Sequence, residues 1–248
     1  MKKIFIISGK ARNGKDSTYE IMKKHLEFYN EKCLRIAYGD YVKFIAKQYL
    51  GWNGIKDEKG RETLQELGTE RVRKGLNKPD YWVDRVIDTI KIVGNEYKYI
   101  FITDARFPNE IELIKQAFPN MVQTIRVSRK DFISPLTEEQ QKHISETALD
   151  DYKFDYYIES ENGLNNLETK ILDTFKFIKP MKNHEIGDSI KIRQINDMKK
   201  AKHLIDYIGQ VGSIYSYIKF NDGTIKYKVL FNDNETAYFF GNELEEIK

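Results

Sequence analysis

One stretch, Gly9-Lys10-Ala11-Arg12-Asn13-Gly14-Lys15-Asp16-Ser17, constrains this chain more than any other. It follows a β-rich apolar run, Ile4 to Ser8, and opens a helical pattern from Ser17 to Tyr29 in which Met22, Leu26 and Tyr29 share a face. Strand, glycine turn and helix in that order match the spacing GxxxxGK, with Asp16 placed ahead of the hydroxyl. Phosphate chemistry explains the spacing. Glycines let successive backbone N–H groups turn inward around an anion, and the helix N-terminus adds about half a positive charge. On this reading Gly9, Arg12, Asn13, Gly14, Lys15, Asp16, Ser17 and Thr18 surround a polyphosphate, Lys15 reaches its β and γ groups, and Ser17 or Thr18 offers a hydroxyl to Mg²⁺. Asp16 has two readings: a first-turn acid that gains about 0.3–1 kcal/mol from the helix dipole, or a group aimed at Mg²⁺.

The rest of the chain alternates short apolar runs with helical periodicity. Strands are expected at Cys33–Tyr38, Tyr97–Thr103, Val122–Val127 and Tyr156–Ile158. Helices are expected at Tyr41–Tyr49, Arg61–Leu76, Tyr81–Val93, Asn109–Ala117 and Leu164–Ile178. This order predicts an α/β sandwich around a mostly parallel sheet. The polar stretch Ser128–Lys142, with Pro135, breaks the rhythm and reads as a mobile excursion. Near Lys179 and Pro180 the pattern changes to short aromatic-rich strands, punctuated by Asn221-Asp222-Gly223 and Asn232-Asp233-Asn234. A small SH3-like β-barrel over residues 181–248 is expected, with a helical insertion near Asp197–Tyr207, following a first domain over residues 1–179.

Composition narrows the partners. Lys and Arg total 41 against 38 Asp and Glu, so the chain has no global basic field for nucleic acid. The tail from Met181 holds 10 basic and 10 acidic residues and is neutral. Its aromatics read as core, or else as a surface for a protein partner, a second copy or RNA, and the tail's zero net charge makes RNA the weaker of these. The single Cys33 rules out an internal disulfide and suits a reducing compartment, and its apolar surroundings make it a core residue. No stretch approaches the ~20 apolar residues of a membrane span. The apolar run after Met1 is too short for a signal peptide, so a cytoplasmic protein is expected.

Three further constellations carry chemistry. An apolar strand delivers Asp104 and Arg106 to its carboxyl end, where open α/β sheets bind ligands. In Arg61–Arg73, Gln65 and Thr69 share a helix face, and Gly68 inside the helix suggests a close approach or a break. Arg71 or Arg73 could hold a second phosphate, and Trp82 is either core or a platform for a base. The excursion groups Arg126, Arg129, Lys130 and Lys142 ahead of His143-Ile144-Ser145-Glu146-Thr147. Cations on a closing segment suit phosphoryl transfer, which is mostly positioning and charge stabilisation.

The phosphate loop GKARNGKDS, the block RETLQELGTERVRKGLNKPDYWV, the strand end ITDARFPNE and the later HISETALDDYKFDYYI occur in an order that resembles the phage-type deoxynucleoside monophosphate kinases, over about residues 1–179. The resemblance implies a three-layer P-loop kinase fold with a five-stranded parallel sheet and a mobile lid. It also implies ATP with Mg²⁺ as donor and a deoxynucleoside monophosphate as acceptor. Lys15 with Arg126 and Arg129 would then carry catalysis. Asp40, Lys43, Gln65, Thr69, Arg71, Trp82, Asp104, Arg106, His143 and Glu146 would line the acceptor side, and Ser17 would hold the metal. The Gly-Lys-Asp loop also resembles that of animal-type phosphomevalonate kinases, and an ATP-binding regulatory protein without turnover is a third reading. The tail lies outside the family pattern.

Overall fold

The chain's first strand sets the architecture. In β1 (Lys3–Ser8), Ile4 and Ile6 point to one face and Phe5 and Ile7 to the other, and all four are fully buried. A strand apolar on both faces must lie inside a sheet covered on both sides. In the computed structural model, which describes residues 2–29, 31–161, 163–178, 183–196, 202–220 and 224–247, β1 is the central strand. Its sheet has the order β2-β3-β1-β4-β5, with β2 (Cys33–Ile36), β3 (Tyr99–Ile102), β4 (Val122–Arg129) and β5 (Tyr156–Ser160), and every neighbouring pair is parallel.

One face is covered by α2 (Tyr38–Tyr49), α4 (Tyr81–Val93) and α5 (Pro108–Ala117), whose Val42, Trp82, Val86 and Ile111 pack on Ile4, Ile6, Ile100 and Ile102. The other is covered by α1 (Lys15–Phe28) and α8 (Leu164–Thr174), whose Met22, Leu26, Leu167 and Ile171 pack on Phe5, Ile7 and Phe101. The result is the three-layer α/β fold expected. It brings the carboxyl ends of β1, β3 and β4 to one edge. Among the described residues no helix is long and apolar enough to cross a membrane.

Several boundaries differ from the sequence reading, for local reasons. Tyr38 leaves the second strand and starts α2, because the Asp104 carboxylate accepts the N–H groups of Tyr38 (2.9 Å) and Gly39 (2.8 Å) and caps that helix. The expected helix Arg61–Leu76 is two windings: α3 (Glu58–Gln65), capped by Asp57, and a π-helical stretch, Glu66–Gly75. Gly68 therefore does not break the helix. Its carbonyl accepts the Trp82 indole N–H (2.9 Å), and the wider turn sets Glu66 beside Arg71, five positions on, for an ion pair at 2.9 Å. The polar excursion is shorter than expected, since Ser128 and Arg129 complete β4 and α6 (Glu138–Lys142) forms behind a Thr137 cap. Arg126 and Arg129 thus belong to the rigid sheet, not to a lid. A further helical turn, α7, covers Ile144–Thr147.

The chain divides into two compact units, residues 1–27 with 31–179, and residues 28–30 with 180–248. The second unit is a five-stranded antiparallel sheet of order β10-β6-β7-β8-β9, with β6 (Ser189–Ile192), β7 (Val211–Lys219), β8 (Ile225–Phe231), β9 (Thr236–Phe240) and β10 (Leu244–Glu246). Ile190, Ile214, Val229 and Phe239 form its core. The expected closed barrel is not seen among the described residues. A 3₁₀ turn at Gly241–Glu243 carries the chain from β9 to β10, which pairs with β6 at the opposite edge. Asn232-Asp233-Asn234 makes the expected turn, with Asn234 in the left-handed region (φ 67°). Another 3₁₀ helix, Lys202–Tyr207, lies in the expected insertion. Asn162, Lys179, Pro180, Met181, Asp197 and the Asn221-Asp222-Gly223 hairpin lie outside the described residues.

Candidate active site

The loop between β1 and α1 is shaped by its glycines. A Cβ on Gly9 would lie 2.4 Å from the Val127 carbonyl oxygen, so only glycine fits between β1 and β4. Gly14 (φ 94°) and Arg12 (φ 57°) both take left-handed conformations that fold the loop back on itself. Asn13 braces it: its amide donates to the Ala11 carbonyl (3.2 Å), and its Oδ1 accepts the Arg129 N–H (2.9 Å). Thr18 is buried and its hydroxyl donates to the Gly14 carbonyl (2.9 Å), which leaves Ser17 as the hydroxyl at the helix start. Asp16 is exposed on the first turn of α1.

Lys15 Nζ curls into this loop and donates to the carbonyls of Gly9 (2.6 Å) and Lys10 (2.9 Å). Burial, and then the positive charge of Arg106, pulls its pKa from the ordinary 10.5 down to about 8, against the opposing pull of Glu146, Asp16 and Asp104. The loop also holds an anion of the chain's own. The Glu146 carboxylate accepts the Ala11 N–H (3.0 Å) and pairs with Arg106, whose guanidinium also reaches the Ser145 carbonyl (3.2 Å). A carboxylate oxygen bound by a loop amide, beside an ammonium and a guanidinium, is chemically close to a bound phosphate oxygen.

Asp150, which the sequence did not single out, bridges Lys10 (2.9 Å) and Arg126 (2.7 Å), and Arg126 also donates to the Ser8 hydroxyl (3.1 Å). Arg129 lies over the Phe132 ring at 4.5 Å. A cavity of ≈ 200 Å³ opens beside the loop, lined by Lys10, Asn13, Phe132, Gln141 and Glu146 among others. A larger cavity of ≈ 860 Å³ lies in the second unit and includes none of the sequence-derived site residues.

The acceptor-side residues divide into two groups. Gln65 meets His143 (2.5 Å), whose other ring nitrogen meets the Ser145 hydroxyl (2.8 Å), so these three join the Glu146 cluster. Asp40 pairs with Lys43 (2.6 Å) and Arg35 (2.9 Å). Partial burial opposes ionisation of Asp40, but Lys43 and then Arg35 hold its carboxyl below the ordinary range. Thr69 is half-buried on the π-helical stretch.

Four expected ligand contacts are instead taken up by the fold. Trp82 is 1% exposed with its N–H spent on Gly68, so it is core and no platform for a base. Arg71 is held by Glu66. Arg73 is bound to the buried Glu110 (2.5 Å), whose other oxygen accepts the Arg106 N–H (2.6 Å). Asp104 spends both oxygens on the start of α2, and burial pushes its carboxyl up against the pull of those two amides.

Lys56, which the sequence did not single out, has its pKa lowered by partial burial and then by Lys43. Glu110 could have been anticipated from Pro108, which marks a helix start and sets the glutamate where it reaches back to the Phe107 N–H (3.1 Å).

Residues 40–171 match the family model described as deoxynucleotide monophosphate kinase. No curated protein matched the chain. Among solved structures, an unliganded sugar kinase from Janibacter sp. HTCC2649 is 12% identical with a TM-score of 0.42, covering 73% of this chain and 97% of that one. The Mycobacterium tuberculosis APS kinase in complex with AMPPNP and APS is 10% identical with a TM-score of 0.40, covering 69% and 96%. The PetP subunit of the cyanobacterial cytochrome b6f complex is 23% identical with a TM-score of 0.24, covering 29% of this chain and 98% of that one.

Proposed function

The chain belongs to the deoxynucleotide monophosphate kinase family, and from that premise we propose that it transfers the γ-phosphoryl group of ATP to the 5′-phosphate of a deoxynucleoside monophosphate. The observation that carries this reading is the anion cradle formed by the Ala11 N–H and Arg106 around the Glu146 carboxylate, with the Lys15 ammonium held on the carbonyls of the same loop. A nucleotide phosphate competes for the same donors. Its arrival frees Glu146 to turn toward the acceptor side, where His143 and Gln65 stand.

Both substrates are anions, so the protein's task is to bring two phosphates into line and neutralise their repulsion. Lys15 is assigned to the β and γ groups, and Arg106 and Lys43 supply positive charge at the acceptor edge. Arg126 and Arg129, at the end of β4, act from the rigid side of the site. A monophosphate oxygen is already a competent nucleophile, so no catalytic base is assigned. Ser17 fits Mg²⁺ best, since Thr18 has committed its hydroxyl to Gly14. When bound, the metal would neutralise charge between the β and γ phosphates.

The same reading places a kinase domain at residues 1–179 and a separate domain at residues 181–248. Support for an SH3-like tail comes from the strand order and from the 3₁₀ turn before its last strand. A cytoplasmic setting agrees with Cys33, whose thiol burial and then Glu27 push up to about 12, out of the reactive range.

The experiment is a coupled ADP-release assay over dAMP, dGMP, dCMP, dTMP and 5-hydroxymethyl-dCMP. ADP formation that depends on one or more of them supports the reading. ATP binding without turnover on any of the five removes it.

A further inference from the structure

The second unit holds a side-chain cluster that phosphoryl transfer does not use. His184, in the segment before β6, has a side chain only 4% exposed, and its Nδ1 is buried with no hydrogen-bond partner. An orphaned polar atom of this kind is destabilising unless something occupies its lone pair. The residue is firmly set: its N–H donates to the Tyr227 hydroxyl (3.1 Å) and its ring packs edge-on against Tyr227 at 5.2 Å.

Two carboxylates lie close to this ring. Asp188 closes the turn that starts after His184, its Oδ2 accepting the Glu185 N–H (2.7 Å). Glu246 is brought in by the antiparallel pairing of β10 with β6, which sets it opposite Ile190. His184 Nδ1 is 4.0 Å from Glu246 Oε1, and one donor atom from each of His184, Asp188 and Glu246 lies within 4.8 Å of the others.

We propose that His184, Asp188 and Glu246 bind a divalent transition-metal ion, with zinc as the representative. The nitrogen donor selects this class over Mg²⁺ and Ca²⁺, which take oxygen. Bonds of about 2.0–2.2 Å in a tetrahedral shell put donors about 3.3 Å apart, so the cluster needs to close by no more than about 1.5 Å. A simple His184–Glu246 ion pair accounts for the cluster less well, because 4.0 Å is too long for a hydrogen bond and leaves Nδ1 unpartnered. With three protein ligands, the fourth position is left to water or to an added ligand. The ion would tie the last strand to the turn before the first strand of this sheet, and would stabilise the unit by mass action.

The test is calorimetric titration of the full-length, chelator-treated chain with zinc and, separately, with Mg²⁺, without nucleotide. Wild type and the variants His184→Ala, Asp188→Asn and Glu246→Gln are compared. Asp188→Asn keeps an acceptor for the Glu185 N–H, so it preserves the turn while removing the charge. The expected result is one zinc per chain that each variant loses or weakens by more than about 100-fold, beyond the 10- to 100-fold cost of an outer-shell change. Zinc should also raise the thermal midpoint of wild type and not of the variants. Absence of zinc binding by wild type, equal preference for Mg²⁺, or unchanged stoichiometry and affinity in the variants overturns the proposal. If His184→Ala does not fold, the two carboxylate variants decide.

Discussion

Raising the pH should disarm the phosphate loop in a specific way. Lys15 is half-buried against its own loop beside Arg106, and its pKa falls from 10.5 to about 8. Below pH 8 the folded chain holds a partly desolvated ammonium that the unfolded chain holds in water. The depression corresponds to at most about 3 kcal/mol of fold stability forfeited there, less whatever solvent screens, and the cost is relieved as pH rises from about 8 toward 10.5. Bound phosphates reverse the balance by stabilising the ammonium. The free enzyme should therefore lose affinity for ATP above pH 8, while the ternary complex keeps its charge. With a pKa of about 8, the ammonium fraction falls from about 0.9 at pH 7 to about 0.1 at pH 9, so kcat/KM for ATP should drop about tenfold over that interval. The kcat limb should lie at least a unit higher. The nucleotide's own phosphate, with a last pKa near 6, is already ionised and adds nothing here. Steady-state rates from pH 6.5 to 9.5 at constant ionic strength would show this. A kcat/KM that stays flat to pH 9.5, or equal limbs for kcat and kcat/KM, would refute the reasoning.

Three more outcomes follow from the same geometry. Gly9→Ala places a methyl against the Val127 backbone oxygen, so it should abolish ATP binding with little loss of secondary structure, as nucleotide titration and circular dichroism would show. Glu110→Gln leaves the guanidinium of Arg73 buried without its counter-charge and should cost about 3 kcal/mol in urea unfolding; a change under about 0.5 kcal/mol would mean that the pair is already solvated. Trp82→Phe loses the bond to Gly68 in the π-helical stretch, and should lower stability by about 1–3 kcal/mol without changing the preferred base. A shift in base preference would return Trp82 to the acceptor site.

The parts of this protein legible in the sequence were those set by local chemistry and strong periodicity. The doubly apolar run Ile4–Ile7 placed a central strand, and the glycine spacing placed the loop whose left-handed Arg12 and Gly14 the structure shows. What stayed hidden depends on contacts between residues far apart. Asp104 lies 66 positions from the Tyr38 N–H that it caps, so the start of α2 could not be read from its own sequence. The π winding of Glu66–Gly75, on which Trp82 reaches back to Gly68, cannot be separated from an α-helix by helical periodicity alone. Arginines looked alike in sequence, yet Arg71 pairs with Glu66 on the surface, Arg73 is tied to the buried Glu110, and Arg106 pairs with the Glu146 that binds the loop. Asp150 carried no motif, and only the fold brings it to Lys10 and Arg126.

The central claim is that the loop after β1 delivers a phosphoryl group to a deoxynucleotide. Transfer of label from γ-³²P-ATP, with product identification for wild type and Lys15→Ala, tests it most directly. The account predicts label on the β-phosphate of a deoxynucleoside diphosphate, with turnover lowered by about 10² or more in a folded Lys15→Ala protein. Label that never reaches a deoxynucleotide, or equal turnover by the two proteins, would contradict it.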